Sequence, residues 1–230
     1  MLVPGTQIQH WKVVRHVGTQ RNGSLYVVER ARRNSVLKWM AGSEANPLAE
    51  SPEALAAREV ACLQRLQGPH FIHLEAHGRW PETGHGVPFL ILQAIPGMHL
   101  PQWASLRGAT APEAALLLAE VARTVADMHD RNMRYPSLRS RDFWMRNGKL
   151  STVLIDLGGA ALLSRPLTRA EMAEDIRAIG AMFYCLLTGQ SPDPDSPPPH
   201  LINPHVPELL SYAIMSVLSK GELRLSELTL

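Results

Sequence analysis

Apolar and polar residues alternate with a short period through the first part of the chain, up to about residue 95. Such alternation, in runs rich in β-branched and aromatic residues and bounded by Gly, Asn or Pro, is typical of β-strands joined by turns. Five runs fit this description: Trp11–Val17, Ser24–Arg30, Ser35–Met40, Phe71–Ala76 and Val87–Ile95. The pattern therefore predicts a small strand-rich lobe over residues 1–95, with its last two strands joined by a turn at Pro81–Gly86.

One helix is predicted inside this first lobe. Ser51 is a suitable N-cap and Pro52 a suitable first helical residue, while Gly68-Pro69 is a strong helix stop. The helix therefore lies between the third and fourth predicted strands.

The pattern becomes helical in residues 96–230. Thr110-Ala-Pro-Glu113 and Thr168-Arg-Ala-Glu171 both match the capping box that opens a helix. A further helix is predicted from Glu208 to Leu218, directly after a proline. The sequence thus predicts an α+β protein in which a strand-rich lobe precedes a larger helical lobe.

Composition excludes several classes of protein. Of 230 residues, 45% are hydrophobic, enough to bury a full core, and the formal net charge is only +2. Lys and Arg are scattered, so we expect no nucleic-acid partner. Apolar runs such as Val87–Ile95 are about half the length that spans a bilayer, and the N-terminus has no charged leader before an apolar run. We expect a cytoplasmic protein without membrane association, in which Cys62 and Cys185 are reduced core thiols.

Three polar features of the first lobe form a set. Gly18-Thr-Gln-Arg-Asn-Gly23 connects two predicted strands, where glycines permit either a tight hairpin or a loop over phosphates. Lys38 lies inside an apolar strand, and Glu59 lies in the middle of the predicted helix. Each charge alone is typical of a surface position. A strand Lys paired with a helix Glu, however, holds nucleotide phosphates in phosphotransferases.

The segment Tyr135–Gly159 has the organisation of a phosphate-transfer site. It contains a polar loop, two short apolar runs, and an Asp followed by small residues. Two carboxylates, Asp142 and Asp156, offer the oxygen ligands that Mg²⁺ prefers.

In this order, these segments resemble the bacterial Ser/Thr branch of the protein kinase family, from about Trp11 to Leu228. The most specific match is Asp175–Gly189, which is similar to the central helix of the large kinase lobe. The resemblance implies a two-lobed kinase-like fold, with ATP and Mg²⁺ as cofactors. It assigns nucleotide binding to Gly18, Gln20, Gly23, Lys38, Glu59, Leu92, Gln93 and Ile95. It assigns metal binding to Asp142 and Asp156.

The catalytic loop departs from the family pattern. The family's His-Arg-Asp triplet falls on Tyr135-Pro136-Ser137, so Ser137 occupies the position of the carboxylate that accepts the substrate's proton. The loop lysine becomes Arg139, and the metal-binding asparagine becomes Asp142. Gln20 replaces a glycine of the phosphate loop, where a side chain can fill the space that phosphates would use.

The segment that follows Asp156 also departs from the pattern. It is too short for a normal activation segment and contains no Ala-Pro-Glu motif, so much of the platform for a protein substrate is missing. The glutamate that pairs with an arginine of the last helix is missing too. Arg224 therefore lacks its expected partner, for which Glu171 and Glu174 are candidate replacements.

These losses favour binding over turnover. The leading interpretation is a pseudokinase, a regulatory or scaffolding module that acts on a protein partner such as an active kinase or another signalling protein. One alternative is an active atypical kinase that phosphorylates a protein or small-molecule hydroxyl. The other is a protein-interaction domain that binds no nucleotide.

Overall fold

The computed structural model describes residues 1–20, 23–41, 50–82 and 84–221, with only the backbone described for Gln20. The chain folds into two compact units. The first contains residues 1–67 and 72–95, and the second contains residues 68–71 and the chain from residue 96 onward. A four-residue stretch after the first helix therefore belongs to the second unit.

The first unit is a six-stranded antiparallel sheet with one helix. Its elements in chain order are β1 (Gln7–Ile8), β2 (Trp11–Gln20), β3 (Gly23–Arg30), β4 (Arg33–Trp39), α1 (Pro52–Arg65), β5 (Leu74–Trp80) and β6 (Val87–Gln93). The strand order is β1-β2-β3-β4-β6-β5. Each predicted strand corresponds to one of these, although β5 begins at Leu74 and not at Phe71. Phe71 instead forms a parallel bridge with Leu154, and both residues belong to the second unit.

Alternation along the strands buries one face of this sheet. Tyr26, Val28 and Leu37 have no exposed surface, and they belong to a cluster with residues of β1, β2 and β6. The start of α1 is as predicted, because the Ser51 Oγ accepts a hydrogen bond from the Ala54 N–H at 3.2 Å.

The second unit is mainly helical and carries two small antiparallel sheets. Its elements are β7 (Gly97–His99), α2 (Leu100–Arg107), α3 (Ala111–His129), β8 (Met133–Arg134), a 3₁₀-helix (Ser140–Asp142), β9 (Phe143–Arg146), β10 (Thr152–Leu154), β11 (Ala161–Leu162), α4 (Arg169–Thr188), α5 (Pro199–Ile202) and α6 (Glu208–Lys220). The sheets have the strand orders β10-β9-β7 and β11-β8.

Helix α4 lies against α3, α5 and α6. Its capping box forms as predicted, since the Thr168 N–H donates to the Glu171 Oε2 at 2.8 Å and the Glu171 N–H donates to the Thr168 Oγ1 at 3.3 Å. Gly180 allows α6 to approach closely, because a Cβ at this position would lie 2.9 Å from the Val217 Cγ1. The absence of a side chain at Gly180 thus sets the α4–α6 spacing.

The α+β class is confirmed, but two expectations need correction. The pattern does not reveal α2, which buries only Leu100 and Trp103 and so has no long apolar stripe. Cys185 is not a core thiol, because it lies exposed on α4. Cys62 is buried, and burial raises the pKa of its thiol to about 11. Among the described residues, no helix combines the length and apolar character needed to cross a membrane.

Candidate functional site

Lys38 of β4 and Glu59 of α1 form a buried ion pair in the first unit. The Lys38 Nζ lies 2.8 Å from both carboxylate oxygens of Glu59. The two residues are 3% and 1% exposed, so neither occupies the surface position that its charge alone suggests. Removing charges from water costs about several kcal/mol per ion in proteins. Because of this desolvation cost, stability alone does not explain a buried ion pair at this position.

The glycine-containing segment forms a paired hairpin. Its strands β2 and β3 stay in register as far as Gln20 and Gly23. Gly23 has a φ of 144°, and a Cβ there would lie 2.0 Å from the backbone oxygen of Trp39, so only glycine fits beside β4. A Cβ at Gly18 would meet no atom within 4 Å. The side chain of Gln20, which the family resemblance assigns to the phosphate loop, lies outside the described part of the structure.

The segment assigned to adenine lies at the end of β6. Leu92 is 5% exposed, whereas Gln93 is exposed and donates its backbone N–H to the His73 carbonyl oxygen at 2.9 Å. Ile95 is half-buried and follows the strand. Leu92 is therefore a core residue of the sheet. The contacts of all three residues with adenine stay predictions.

The loop that carries Ser137 is anchored by Asp175 of α4. Asp175 is 1% exposed, and its Oδ2 accepts a hydrogen bond from the Tyr135 backbone N–H at 3.0 Å. The same oxygen lies 3.0 Å from the His129 Nε2 at the end of α3. Hydrogen bonds to a carboxylate are stronger than those between neutral groups. Two helices therefore fix the start of the loop.

Asp142 and Asp156 lie close together in the second unit. The Ile155 N–H donates to the Asp142 carbonyl oxygen at 2.8 Å, which aligns the two segments. Asp142 is 7% exposed, and its Oδ2 accepts a hydrogen bond from the Arg139 N–H at 2.8 Å. Burial raises the pKa of Asp142 to about 6; the Arg139 N–H opposes this shift and the Asp156 charge adds to it. Ionisation of Asp142 is therefore less favourable than ionisation of an exposed aspartate.

This pair of carboxylates suits a divalent cation. Hard cations such as Mg²⁺ prefer carboxylate oxygens. A cation between Asp142 and Asp156 would also offset the repulsion that contributes to the raised pKa. In the chain as far as it is described, no group of three or more His, Cys, Asp or Glu side chains could hold a metal. The two carboxylates would thus need ligands from the bound nucleotide or from water.

Tyr135 and Ser137 both contact the backbone at Gly159. The Tyr135 hydroxyl is hydrogen-bonded to Asp142, and its ring packs so closely that a Cβ at Gly159 would lie 2.4 Å from its Cε2. The same Cβ would lie 2.6 Å from the Ser137 Oγ. Tyr135 is buried and Ser137 is exposed. The serine hydroxyl therefore lies beside the turn that follows Asp156.

Ion pairs connect the start of α4 to the short segment that precedes it and to β8. Arg165 donates to both carboxylate oxygens of Glu171, at 2.8 Å each, and Arg134 donates to Glu174 at 2.5 Å. These pairs place both glutamates within the second unit. Arg224, for which they were candidate partners, lies outside the described residues.

Comparisons with known proteins identify this architecture. No protein-family model matches the chain, and no curated protein matches it in sequence. The crystal structure of the Mycobacterium tuberculosis PknI kinase domain is similar, with a TM-score of 0.72 and 18% identity over 99% of this chain and 94% of that chain. Another structure of that domain gives a TM-score of 0.69 at 17% identity, over 99% and 93% of the two chains. The chain has a protein-kinase-like fold.

The kinase-like fold confirms the expected α+β class, with a small antiparallel sheet and one helix followed by a mainly helical part. Sequence identity of 18% carries the fold alone. The nucleotide-binding and metal-binding roles of the residues above therefore stay predictions.

Sequence reasoning missed two contributors to the site in this kinase-like fold. From the sequence, Tyr135 is only a replacement for histidine, yet its hydroxyl is hydrogen-bonded to Asp142. Gly159 matches no functional position of the resemblance, yet it lies where no side chain fits. The consecutive glycines after Leu157 were the available signal for a crowded backbone. No sequence pattern indicated the tyrosine contact.

Proposed function

We propose that this protein is a pseudokinase, a regulatory or scaffolding module that binds ATP with a divalent cation and is a poor phosphotransferase. The observation that carries this proposal is the residue at the base position. Ser137 is exposed and offers a hydroxyl where the family resemblance requires a carboxylate. A hydroxyl is a far weaker proton acceptor than a carboxylate at neutral pH.

The size of this loss can be set against what remains. Phosphoryl transfer depends mainly on positioning and on neutralising charge. A missing general base costs about 10²–10⁴ in rate, equivalent to roughly 3–5 kcal/mol. The charge-handling residues are present, since Lys38 pairs with Glu59, and Asp142 lies near Asp156. The set therefore favours retention of nucleotide over turnover.

Each retained residue has a role in this proposal. Lys38, oriented by Glu59, would contact the phosphates, while Asp142 and Asp156 would hold the cation. A bound divalent cation neutralises phosphate charge. Tyr135 positions the Asp142 carboxylate through its hydroxyl.

The second support for the proposal is the short segment before α4. Between Gly159 and Arg169 the chain forms β11 and the turn held by Arg165 and Glu171. This leaves little chain to form a platform for a protein substrate. We infer that the module acts on another protein, such as an active kinase, through binding, and that it works in the cytoplasm.

Restoring the carboxylate tests this function directly. Purified protein is incubated with radiolabelled ATP, Mg²⁺ or Mn²⁺ and a panel of protein and small-molecule acceptors, and transfer to the added acceptors is counted. The original chain should transfer little. Ser137→Asp should raise the rate by about 10²–10⁴, whereas Ser164→Asp, at another exposed serine of the same unit, should not. Robust transfer by the original chain that Lys38→Ala abolishes would overturn the proposal.

The intact Lys38–Glu59 pair favours one alternative, an active atypical kinase. Its buried geometry is the one that a working phosphotransferase needs. The same assay separates the two functions, because an atypical kinase would phosphorylate an acceptor without any change at Ser137.

A further inference from the structure

The turn that joins β3 to β4 has a backbone conformation that its residues do not favour. Ala31 and Arg32, the two residues between the strands, have φ values of 51° and 61°. Positive φ at both positions is the geometry of the tight hairpin turn that prefers Asn-Gly, because a Cβ crowds the backbone in this region. The β3–β4 turn therefore keeps two side chains where glycine would fold more readily.

Three arginines are concentrated at the β3–β4 turn. Arg30 and Arg33 lie directly opposite each other on the two strands, with Arg32 in the turn between them, and all three are exposed. Like charges at opposite positions of paired strands destabilise the pairing. The sequence thus departs from folding preference twice, in its backbone and in its charge. Such departures are typical of functional sites.

The three guanidinium groups form no ion pair with any residue in the described part of the chain. In the same unit, the exposed Arg79 does form one, because it lies 2.9 Å from Glu53. Glu29, the acidic residue next to the turn, lies opposite Lys12 of β2. Since side chains alternate along a strand, Glu29 is on the other face from Arg30. The β3–β4 turn is therefore a surface of concentrated positive charge.

We propose that the β3–β4 turn is a docking site for an acidic segment of a partner protein, one rich in Asp and Glu. A guanidinium group is planar and binds a carboxylate through two parallel hydrogen bonds. Three such groups on one turn suit an extended segment that carries several carboxylates. This inference goes beyond the proposed function, because it requires neither nucleotide nor cation and holds for a kinase as well as for a pseudokinase.

The side chains near the turn favour a peptide over other anionic partners. A membrane-binding surface places apolar side chains beside its basic ones, whereas the turn itself contributes only Ala31. Single-stranded nucleic acid needs aromatic faces on which its bases stack. Trp11, an aromatic residue near the turn, is 4% exposed and is covered by Arg30, whose Cζ lies 5.1 Å from the centre of the ring. A peptide that carries carboxylates needs neither feature.

Fluorescence anisotropy of a labelled peptide of ten glutamates, added to the full chain without ATP or divalent cation, tests the proposal. Two glycine substitutions in the turn separate charge from backbone shape. Ala31→Gly and Arg32→Gly should both raise the unfolding midpoint in urea, because glycine tolerates positive φ. Only Arg32→Gly should also weaken binding of the peptide, by about two- to fivefold.

Combining Arg32→Gly with Arg33→Gln should weaken binding of the peptide by about tenfold. Arg65→Gln is the matched control, because it removes an exposed arginine elsewhere in the same unit, and it should leave the dissociation constant unchanged. These results, with binding that weakens as the salt concentration rises from about 0.05 to 0.5 M, support the inference.

Three outcomes would overturn the inference. The first is no binding of the peptide at low salt, and the second is an equal loss of binding in Ala31→Gly, Arg32→Gly and Arg65→Gln. The third is tighter binding of phosphatidylserine vesicles or of an oligonucleotide than of the peptide through the same arginines. The proposed function is decided separately, because the transfer of phosphate is measured in its own assay.

Discussion

The Asp142 carboxyl shows how one residue couples stability to pH. Its pKa is raised from 3.8 to about 6 in the folded protein, so folding favours its protonated form. Its favourable contribution to the free energy of unfolding is therefore fully present below pH 4 and is lost as the pH rises through 6. Asp142→Asn removes this loss and should stabilise the protein at pH 8 by up to about 3 kcal/mol, with little effect at pH 4. The free energies of unfolding of both proteins, measured in urea at pH 4, 6 and 8 without divalent cations, test this prediction.

Asp195→Asn is the matched control for this experiment, because Asp195 is exposed on the same unit. The effect of this substitution on the free energy of unfolding should be the same at pH 4 and pH 8. A stabilisation by Asp142→Asn that is equal at all three pH values would contradict the electrostatic explanation.

The Lys38–Glu59 pair predicts strong non-additivity between two single substitutions. Lys38→Met leaves the buried Glu59 charge without this partner, and breaking such a pair costs about 3–5 kcal/mol. The double variant Lys38→Met, Glu59→Leu should recover most of this loss, because it removes both charges of the pair. Chemical unfolding of the two single variants and the double variant completes the cycle.

An exposed ion pair provides the comparison. Arg79 and Glu53 lie 2.9 Å apart and are about half exposed, so replacing Arg79 by Met should change stability little. If Lys38→Met proved equally mild, the pair in the structure would not be formed in solution.

At the scale of elements, the packing of the Ser137 loop on the turn after Asp156 depends on Gly159. A Cβ there would lie 2.4 Å from the Tyr135 ring, so Gly159→Ala must displace the ring or the turn. Overpacking of this kind costs about 1–3 kcal/mol. Gly18→Ala is the matched control, because its Cβ meets no atom within 4 Å. Unfolding midpoints in urea distinguish them, and a Gly159→Ala variant as stable as Gly18→Ala would show that the loop does not pack here.

Some elements of the fold can be predicted from the sequence, and some contacts between elements cannot. Long elements with clear signals, such as α1 after Ser51 and α4 after its capping box, are predicted because local chemistry determines their starts. The β-bridge of Phe71 to Leu154 is not predictable, because partners 83 residues apart in sequence are brought together only by the tertiary fold. The Tyr135–Asp142 contact is also not predictable, although the two residues are close in sequence. It depends on the path of the loop, which Asp175 of α4 fixes.

At the scale of the whole molecule, the affinity for ATP and Mg²⁺ should depend on pH because of Asp142. ATP with Mg²⁺ at about a hundred times its dissociation constant stabilises a protein by about 2.7 kcal/mol. Cation binding requires the ionised form of Asp142, whose pKa is about 6, so affinity should fall as the pH drops below 6. Thermal shifts with ATP and Mg²⁺ should therefore be larger at pH 8 than at pH 5. Asp142→Asn should flatten this difference, whereas Asp195→Asn should preserve it. Equal shifts at both pH values in the original chain would mean that Asp142 does not hold the cation, and Asp156 would then be the carboxylate to replace first.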